Sequence, residues 1–250
     1  MNTKRLLTVL LVILPLAIPT ALYAKSEDSG HSKGIEFSCA AWENLPYPEL
    51  LYRHGEEYLP LELSPGQRSK AYPLKGVEAL ELFIRKEKPA APGKSDASPE
   101  YERVGMAPLL NGVKKMLFLI ESKEDSSGLP LQLLGMDDSL KAFPAGSLRF
   151  INQTPNPLRI ELAGVTHELP QGALKVIIPE LPEAGGFLPA IIRNEEGRSL
   201  FENRFFAQRS GRELVIIGPP AEGRTELAMK FLSETIPASP PSDRKPSHRK

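Results

Sequence analysis

Adjacent acidic pairs, among them Glu56-Glu57, Asp137-Asp138 and Glu195-Glu196, are the first residues here whose type suggests chemistry, because two carboxylates can divide acid and base work. That work requires the groups to face one another across a cleft, whereas neighbours on a strand or turn point apart. They read as solvated turn charges. Of the histidines, His31 and His248 fall in polar ends, and His54 and His167 have no Cys or His at ligand spacing, so no metal site is expected. Cys39 is the single cysteine; it cannot form an internal disulfide and reads as a small buried hydrophobe in a strand. The sequence has no Gly-x-Ser-x-Gly elbow, Walker loop, Gly-x-Gly-x-x-Gly or His-Glu-x-x-His. The expectation is a protein with no catalytic residue and no cofactor, and therefore not an enzyme.

Binding chemistry has a better candidate. Trp42, Tyr47, Tyr52 and Tyr58 gather early in the chain, and aromatic faces on a β-sandwich can stack on sugar rings or on a protein partner. The competing use of the same rings is core packing and turn anchoring. Asn152-Gln-Thr154 fits the N-glycosylation pattern, which matters only in an organism that uses it.

The elements that must position these residues are short and turn-bounded. Twenty-five prolines and 19 glycines in 250 residues are many for a helical protein. Strands are expected at 35–42, 50–53, 58–63, 69–74, 79–85, 104–110, 115–121 and 129–134, then at 147–152, 158–162, 166–169, 173–178, 187–193, 199–208, 213–217 and 225–232. Helix competes at 77–88 and 225–235. Ser64-Pro-Gly66 fits a type II turn, with Pro and then Gly at its central positions. Asn111-Gly112 between two apolar runs reads as a hairpin, and so does Thr154-Pro-Asn-Pro157 between the strands at 147–152 and 158–162.

Both ends carry address information. Lys4-Arg5, the apolar run Leu6 to Leu14 and the small residue closing Leu22-Tyr-Ala24 form a signal peptide with cleavage expected after Ala24, an uncleaved anchor being the alternative. Residues 25–34 read as a flexible leader, and 237–250 as a disordered basic tail with Arg244, Lys245, Arg249 and Lys250. The whole chain balances 31 basic against 31 acidic residues, and two of those cations leave with the signal. A body without excess positive charge excludes nucleic acid as the main partner. The membrane is reached only through an uncleaved signal or the tail, and the location is periplasmic or secreted.

The halves repeat one another. Gly55 matches Gly164 at an early hairpin, Gly66 in Leu63-Ser-Pro-Gly66 matches Gly172 in Leu169-Pro-Gln-Gly172, and Gly112 matches Gly211 ahead of the apolar runs Met116 to Ile120 and Leu214 to Ile217. The offset is roughly 100 residues, one sandwich domain's worth. An all-β fold of two tandem β-sandwich domains is expected, at 35–137, with a disordered loop at 86–102, and at 138–236. One large sandwich built from both halves is the alternative.

Ser147-Leu-Arg-Phe-Ile-Asn-Gln-Thr-Pro155, followed by Ile160-Glu-Leu-Ala-Gly164 and the Leu-Pro-x-Gly turn at 169–172, resembles the opening of an uncharacterised family of exported bacterial β-sandwich domains. The segment is also similar, more faintly, to periplasmic accessory proteins of alginate acetylation. The likeness covers about 30 residues of the second half. It implies immunoglobulin-like folds in tandem and carries over no catalytic residue. The functional expectation is a non-enzymatic, exported envelope accessory or protein-interaction module. The alternative is a glycan-binding sandwich that uses Trp42, Tyr47, Tyr52 and Tyr58. An envelope protein or polysaccharide is the expected partner.

Overall fold

The computed structural model describes residues 34–86, 99–123 and 127–237. The expected signal peptide, most of the leader, most of the 86–102 loop, His31, His248 and nearly all of the tail lie outside them. Every regular element among the described residues is a strand. The first half holds β1 (Ile35–Ala41), β2 (Leu50–His54), β3 (Glu57–Leu61), β4 (Gln67–Arg68), β5 (Tyr72–Leu74), β6 (Ala79–Lys86), β7 (Glu100–Pro108), β8 (Lys115–Glu121) and β9 (Gln132–Asp137). The second holds β10 (Leu148–Asn152), β11 (Leu158–Leu162), β12 (Val165–Leu169), β13 (Leu174–Ile177), β14 (Gly186–Arg193), β15 (Ser199–Ala207), β16 (Gly211–Gly218) and β17 (Ala228–Thr235). Both helix alternatives give way to strands, β6 and β17.

The strands form four sheets whose orders repeat. The inner sheet of the first half runs β4-β1-β8-β9, with β5 also on β1, and its outer sheet runs β3-β2-β6-β7. The second half answers with β13-β10-β16-β17 and β12-β11-β14-β15. In each half the first strand runs parallel to a late one, β1 with β8 and β10 with β16. Two matched turns set the alignment. Gly66, at φ 70°, donates its N–H to Ala41 O, while Gln67 N–H closes back on Ser64 O at 3.1 Å, as a type II turn requires. Gly172, at φ 69°, donates to Asn152 O, and Ala173 N–H closes on Pro170 O at 3.1 Å. Ala41 therefore corresponds to Asn152.

Two expected hairpins are crossings between sheets. β10 pairs with β13 and β16 while β11 pairs with β12 and β14, so Thr154-Pro-Asn-Pro157 carries the chain from one sheet to the other. Asn152 holds that corner. Its Nδ2 donates to the carbonyls of Asn156, Leu169 and Pro170, and its Oδ1 accepts from Thr154 N–H and Oγ1. Asn111-Gly112 likewise links β7 to β8 in the facing sheet. Turn chemistry shows that the chain bends; the sheet that receives it is decided by distant partners.

Three apolar clusters make a four-layer stack. One lies between the two sheets of the first half, around Phe37, Tyr52, Leu82 and Phe118, and a second between those of the second half, around Phe150, Ile160, Ile192 and Val215. The third joins the two inner sheets: Ala40, Leu117, Leu119 and Met136 meet Ile151, Leu214, Ile216 and Leu232. This explains why 116–120 and 214–217 read as unbroken apolar runs, since a strand buried on both faces has no solvent side to make polar. The register aligns Leu117 with Leu214, Leu119 with Ile216, Ala40 with Ile151 and Met136 with Leu232. Each half thus presents the same patch to the other, the pattern of an isologous contact about an approximate twofold axis.

Candidate seam groove and its ionic lock

The four aromatic residues do not share a surface. Tyr52 is 1% exposed and packs edge-on to Phe37 at 5.1 Å, inside the first core. Tyr47 lies against that core from the loop before β2. Tyr58 is on the outer face, stacked on Tyr101 at 3.9 Å and edge-on to Phe83. A single sugar-stacking platform from Trp42, Tyr47, Tyr52 and Tyr58 is therefore corrected to separate placements: alternation on β2 and β3 sends neighbouring rings to opposite faces.

Tyr47 borders a cavity of about 300 Å³ within the first half, beside Leu50 and Leu61, whereas Trp42 faces one lined by both halves. Trp42 follows the last residue of β1 and enters the seam between the inner sheets, with Lys230 Nζ from β17 5.7 Å from its ring centroid. The Trp42 cavity has a volume of about 320 Å³, and its polar lining includes Glu43, Glu121, Lys123, Gln153 and Lys230. Glu121, Lys123 and Gln153 also border a second cavity of about 450 Å³, with Gln132 and Leu134 on its far side. Gln153 Nε2 donates to Glu121 Oε1 at 3.1 Å, a bridge between the halves that separates the two spaces. By register Trp42 corresponds to Gln153 and Lys230 to Leu134, so the cavities are counterparts across the approximate twofold; they share Glu121, Lys123 and Gln153, and the first adds Trp42 and Lys230 where the second adds Gln132 and Leu134.

Elsewhere on the same interface lies a buried ionic cluster. Asp138, fully buried, accepts from Arg68 Nη1 at 2.5 Å and Arg212 Nη2 at 3.1 Å. Glu234 takes Arg212 Nη2 at 2.6 Å and Arg68 Nη2 at 3.2 Å. Arg212 Nη1 donates to the carbonyls of Asp138 and Phe143. Arg149, 2% exposed, lies 4.2 Å from the Phe143 ring centroid and donates to Ala142 O. Burial pushes its guanidinium down to about 10, so it stays charged at neutral pH. Desolvating several ions makes this cluster weak evidence for stability but a stringent test of geometry, because a shifted interface would strand charges without partners. It fixes how the groove walls meet.

The remaining candidates are dispersed. Glu56 and Glu57 are at the β2–β3 turn, Glu195 and Glu196 at the β14–β15 turn, and Asp137 ends β9, where it receives Ser139 N–H. The reading of Asp138 as a solvated turn charge is overturned by its two guanidinium partners, which come from residues 68 and 212. His54 Nδ1 meets Pro73 O at 3.1 Å, and burial together with Lys175 lowers the pKa of His167. Among the described residues no group of three or more His, Cys, Asp or Glu converges as a metal site. Cys39 is fully buried, and desolvation pushes its thiol far up, which removes the reactive thiolate. Asn152 is fully buried with its amide spent on three carbonyls, so the folded chain offers it to no glycosyltransferase.

Gln153, Glu121, Lys123 and Lys230 escaped the sequence reading because each is unremarkable in its own segment. The usable signal was the repeat itself, which aligns Gln153 with Trp42. No protein-family model matches this chain, and no curated protein matches it.

Proposed function

We propose that the chain is a non-enzymatic, exported envelope accessory: two tandem β-sandwich domains, immunoglobulin-like in architecture though with their own strand order, that offer the seam groove to a protein partner. The observation that carries this reading is that the groove walls come from both halves, so the recognition surface exists only while the interface is locked. Export rests on Lys4-Arg5, the Leu6 to Leu14 run and Ala24. The test is retention of envelope proteins on the immobilised mature chain, compared with Trp42→Ala and Gln153→Ala. A species held by the wild type and lost from both variants supports the groove; equal retention by all three removes it.

A second reading, glycan binding, is favoured by the lining of the same groove, where one indole stands among amides and charged groups of the kind that hold sugar hydroxyls. Trp42 is the only tryptophan in the chain, so its fluorescence reports the groove alone. Saturable quenching by an envelope oligosaccharide, absent with a monosaccharide control, selects this reading. A flat titration against neutral, acidic and amino-sugar oligomers rejects it.

A further inference from the structure

Glu213 occupies a position where the fold expects an apolar side chain. In parallel register Phe37 faces Met116 and Leu148 faces Glu213, so Glu213 corresponds to Met116, which is fully buried in the first core. Its neighbours on the same face, Leu148 and Ile177, belong to the second core. A carboxylate at such a place loses hydration without gaining apolar contact. Its hydrogen bond is to Ser233 Oγ, at 2.8 Å, and no cation pairs with it among the described residues. Burial raises its pKa above the usual carboxylate range. Arg212 is adjacent in the chain, but its guanidinium is spent on Glu234, Asp138 and two carbonyls.

The space in front of Glu213 is a cavity of about 350 Å³, bordered by Ser147, Phe206, Gln208, Ser233, Glu234 and Thr235, and by Arg212, whose charge Asp138 and Glu234 already take up. It combines a half-buried carboxylate lacking a counter-ion, hydroxyl groups beside it and an exposed phenyl ring at the rim. We propose that this cavity binds a primary alkylammonium group, with Glu213 as its counter-ion, the Ser233 hydroxyl as a further acceptor and Phe206 against the alkyl stem. An ammonium supplies the charge that Glu213 lacks and donates in several directions. An anion is repelled, and a neutral alcohol leaves the carboxylate uncompensated. The site lies apart from the seam groove and does not depend on what that groove holds.

The test is an NMR titration of the isotope-labelled mature chain at neutral pH and constant ionic strength, with n-butylamine hydrochloride as probe, n-butanol as its neutral counterpart and butyrate as the anion. Saturable shifts centred on Ser147, Phe206, Glu213 and Ser233 are expected with the amine alone, weakened at least tenfold in Glu213→Gln. A second variant, Glu213→Met, installs the residue of the first half; it should lose amine binding and melt at a higher temperature than the wild type. Equal response to amine and alcohol, undiminished binding in Glu213→Gln, or a lower melting temperature for Glu213→Met each overturns the proposal. Because Glu234 and Thr235 lead toward Arg244, Lys245, Arg249 and Lys250, a full-length variant with those four changed to Gln separates two sources of the cation. Unchanged amine affinity assigns the site to a free amine, and tighter binding assigns it to the chain's own cations.

Discussion

On one side of the first half β7 is joined by its backbone to the segment leading into β9, whereas on the corresponding side of the second half β15 and β17 meet through rings, Phe205 lying 5.9 Å from Phe231. In the first half Gly105 bridges to Leu131, whose N–H donates to Val104 O at 2.9 Å. A Cβ on Gly105 would come within 2.6 Å of Leu133 Cδ1, so the approach depends on glycine. Both halves carry a register shift at the same place, after Leu82 and after Ile192, and Leu82 pairs with Gly105 where Ile192 pairs with Phe201. Phe201 thus stands at the position of Gly105, and its ring stacks on Phe205. On the other strand Phe118 pairs with Gly135 where Val215 pairs with Phe231. A Cβ on Gly135 would lie 2.7 Å from Phe118 Cε1. The ring has changed strands: one half places it on the central strand over a glycine, the other on the edge strand over a valine. One topology therefore places the ring in two ways: Phe118 is fully buried in its core, whereas Phe231 is 40% exposed at the flank, where Glu213 is only half-buried.

The largest expected effect tests what joins the halves. Asp138 and Glu234 are register equivalents, yet Asp138 is fully buried and Glu234 about a quarter exposed. Asp138→Ala leaves Arg68 and Arg212 facing each other without that carboxylate and should cost about 3–5 kcal/mol. Glu234→Ala should cost less, about 1.5–3 kcal/mol, because Arg68 and Arg212 keep Asp138 and the Glu234 carboxylate is already partly hydrated. Urea unfolding of both variants measures the difference; equal losses would mean that the approximate symmetry extends to energetics, contrary to the burial. Next in size is the exchanged ring. Gly135→Phe alone overpacks the site at about 1–3 kcal/mol, and Phe118→Val alone opens a cavity at up to about 3 kcal/mol. The double variant reproduces the pair found in the second half and should regain about 2 kcal/mol of the summed loss. Strict additivity would refute the equivalence.

Much of this architecture was legible beforehand, and the parts that were not share a cause. The strand at 115–121 coincides with β8, and Gly66 with Gly172 is a true register pair. Strand identity and turn type are local properties, written in alternation and in Pro-Gly chemistry. Gly112 does not correspond to Gly211, however; the register sets Gly112 against Arg209, because equivalence depends on strand pairing rather than on matching letters. β9 lies at 132–137 rather than 129–134, since Asp137-Asp138 looks like a break until Arg68 and Arg212 arrive from far along the chain. The unbroken run at 116–120 did contain the signal for burial on both faces, but one run cannot say what covers the second face. The candidate site was legible only at Trp42; Gln153, Lys230 and Glu213 acquire meaning through their register partners.

A smaller effect separates Met116 from Glu213. The folded chain holds the Glu213 proton to higher pH than the unfolded chain does, so within that window the native state binds more protons and stability falls as pH rises. The loss begins near the unfolded carboxylate pKa of about 4.3 and is complete above the raised folded value. Melting temperatures of the wild type and Glu213→Gln between about pH 4 and 7 should therefore diverge in favour of the variant as pH increases. A constant difference would mean that Glu213 is solvated alike in both states.

The smallest effect concerns the hairpin each half makes early in its outer sheet. Leu162 pairs with Val165 across Ala163-Gly164, and both turn residues have positive φ, 50° and 82°, as in a type I′ turn. His54 pairs with Glu57 across Gly55-Glu56, where Gly55 carries the positive φ of 62°. Gly55 is thus the counterpart of Ala163, and the second half tolerates a Cβ where the first has none. A left-handed backbone costs an L residue about 1–2 kcal/mol, while glycine restores about 0.5–1 kcal/mol of unfolded-state freedom that folding must remove. Ala163→Gly should therefore stabilise the chain by roughly 0.5 kcal/mol, and Gly55→Ala should destabilise it by a similar amount. Opposite signs from the two substitutions, read as urea midpoints at unchanged slope, would place the strain in the turn itself; a loss in both would show that the second half has adapted its turn to alanine.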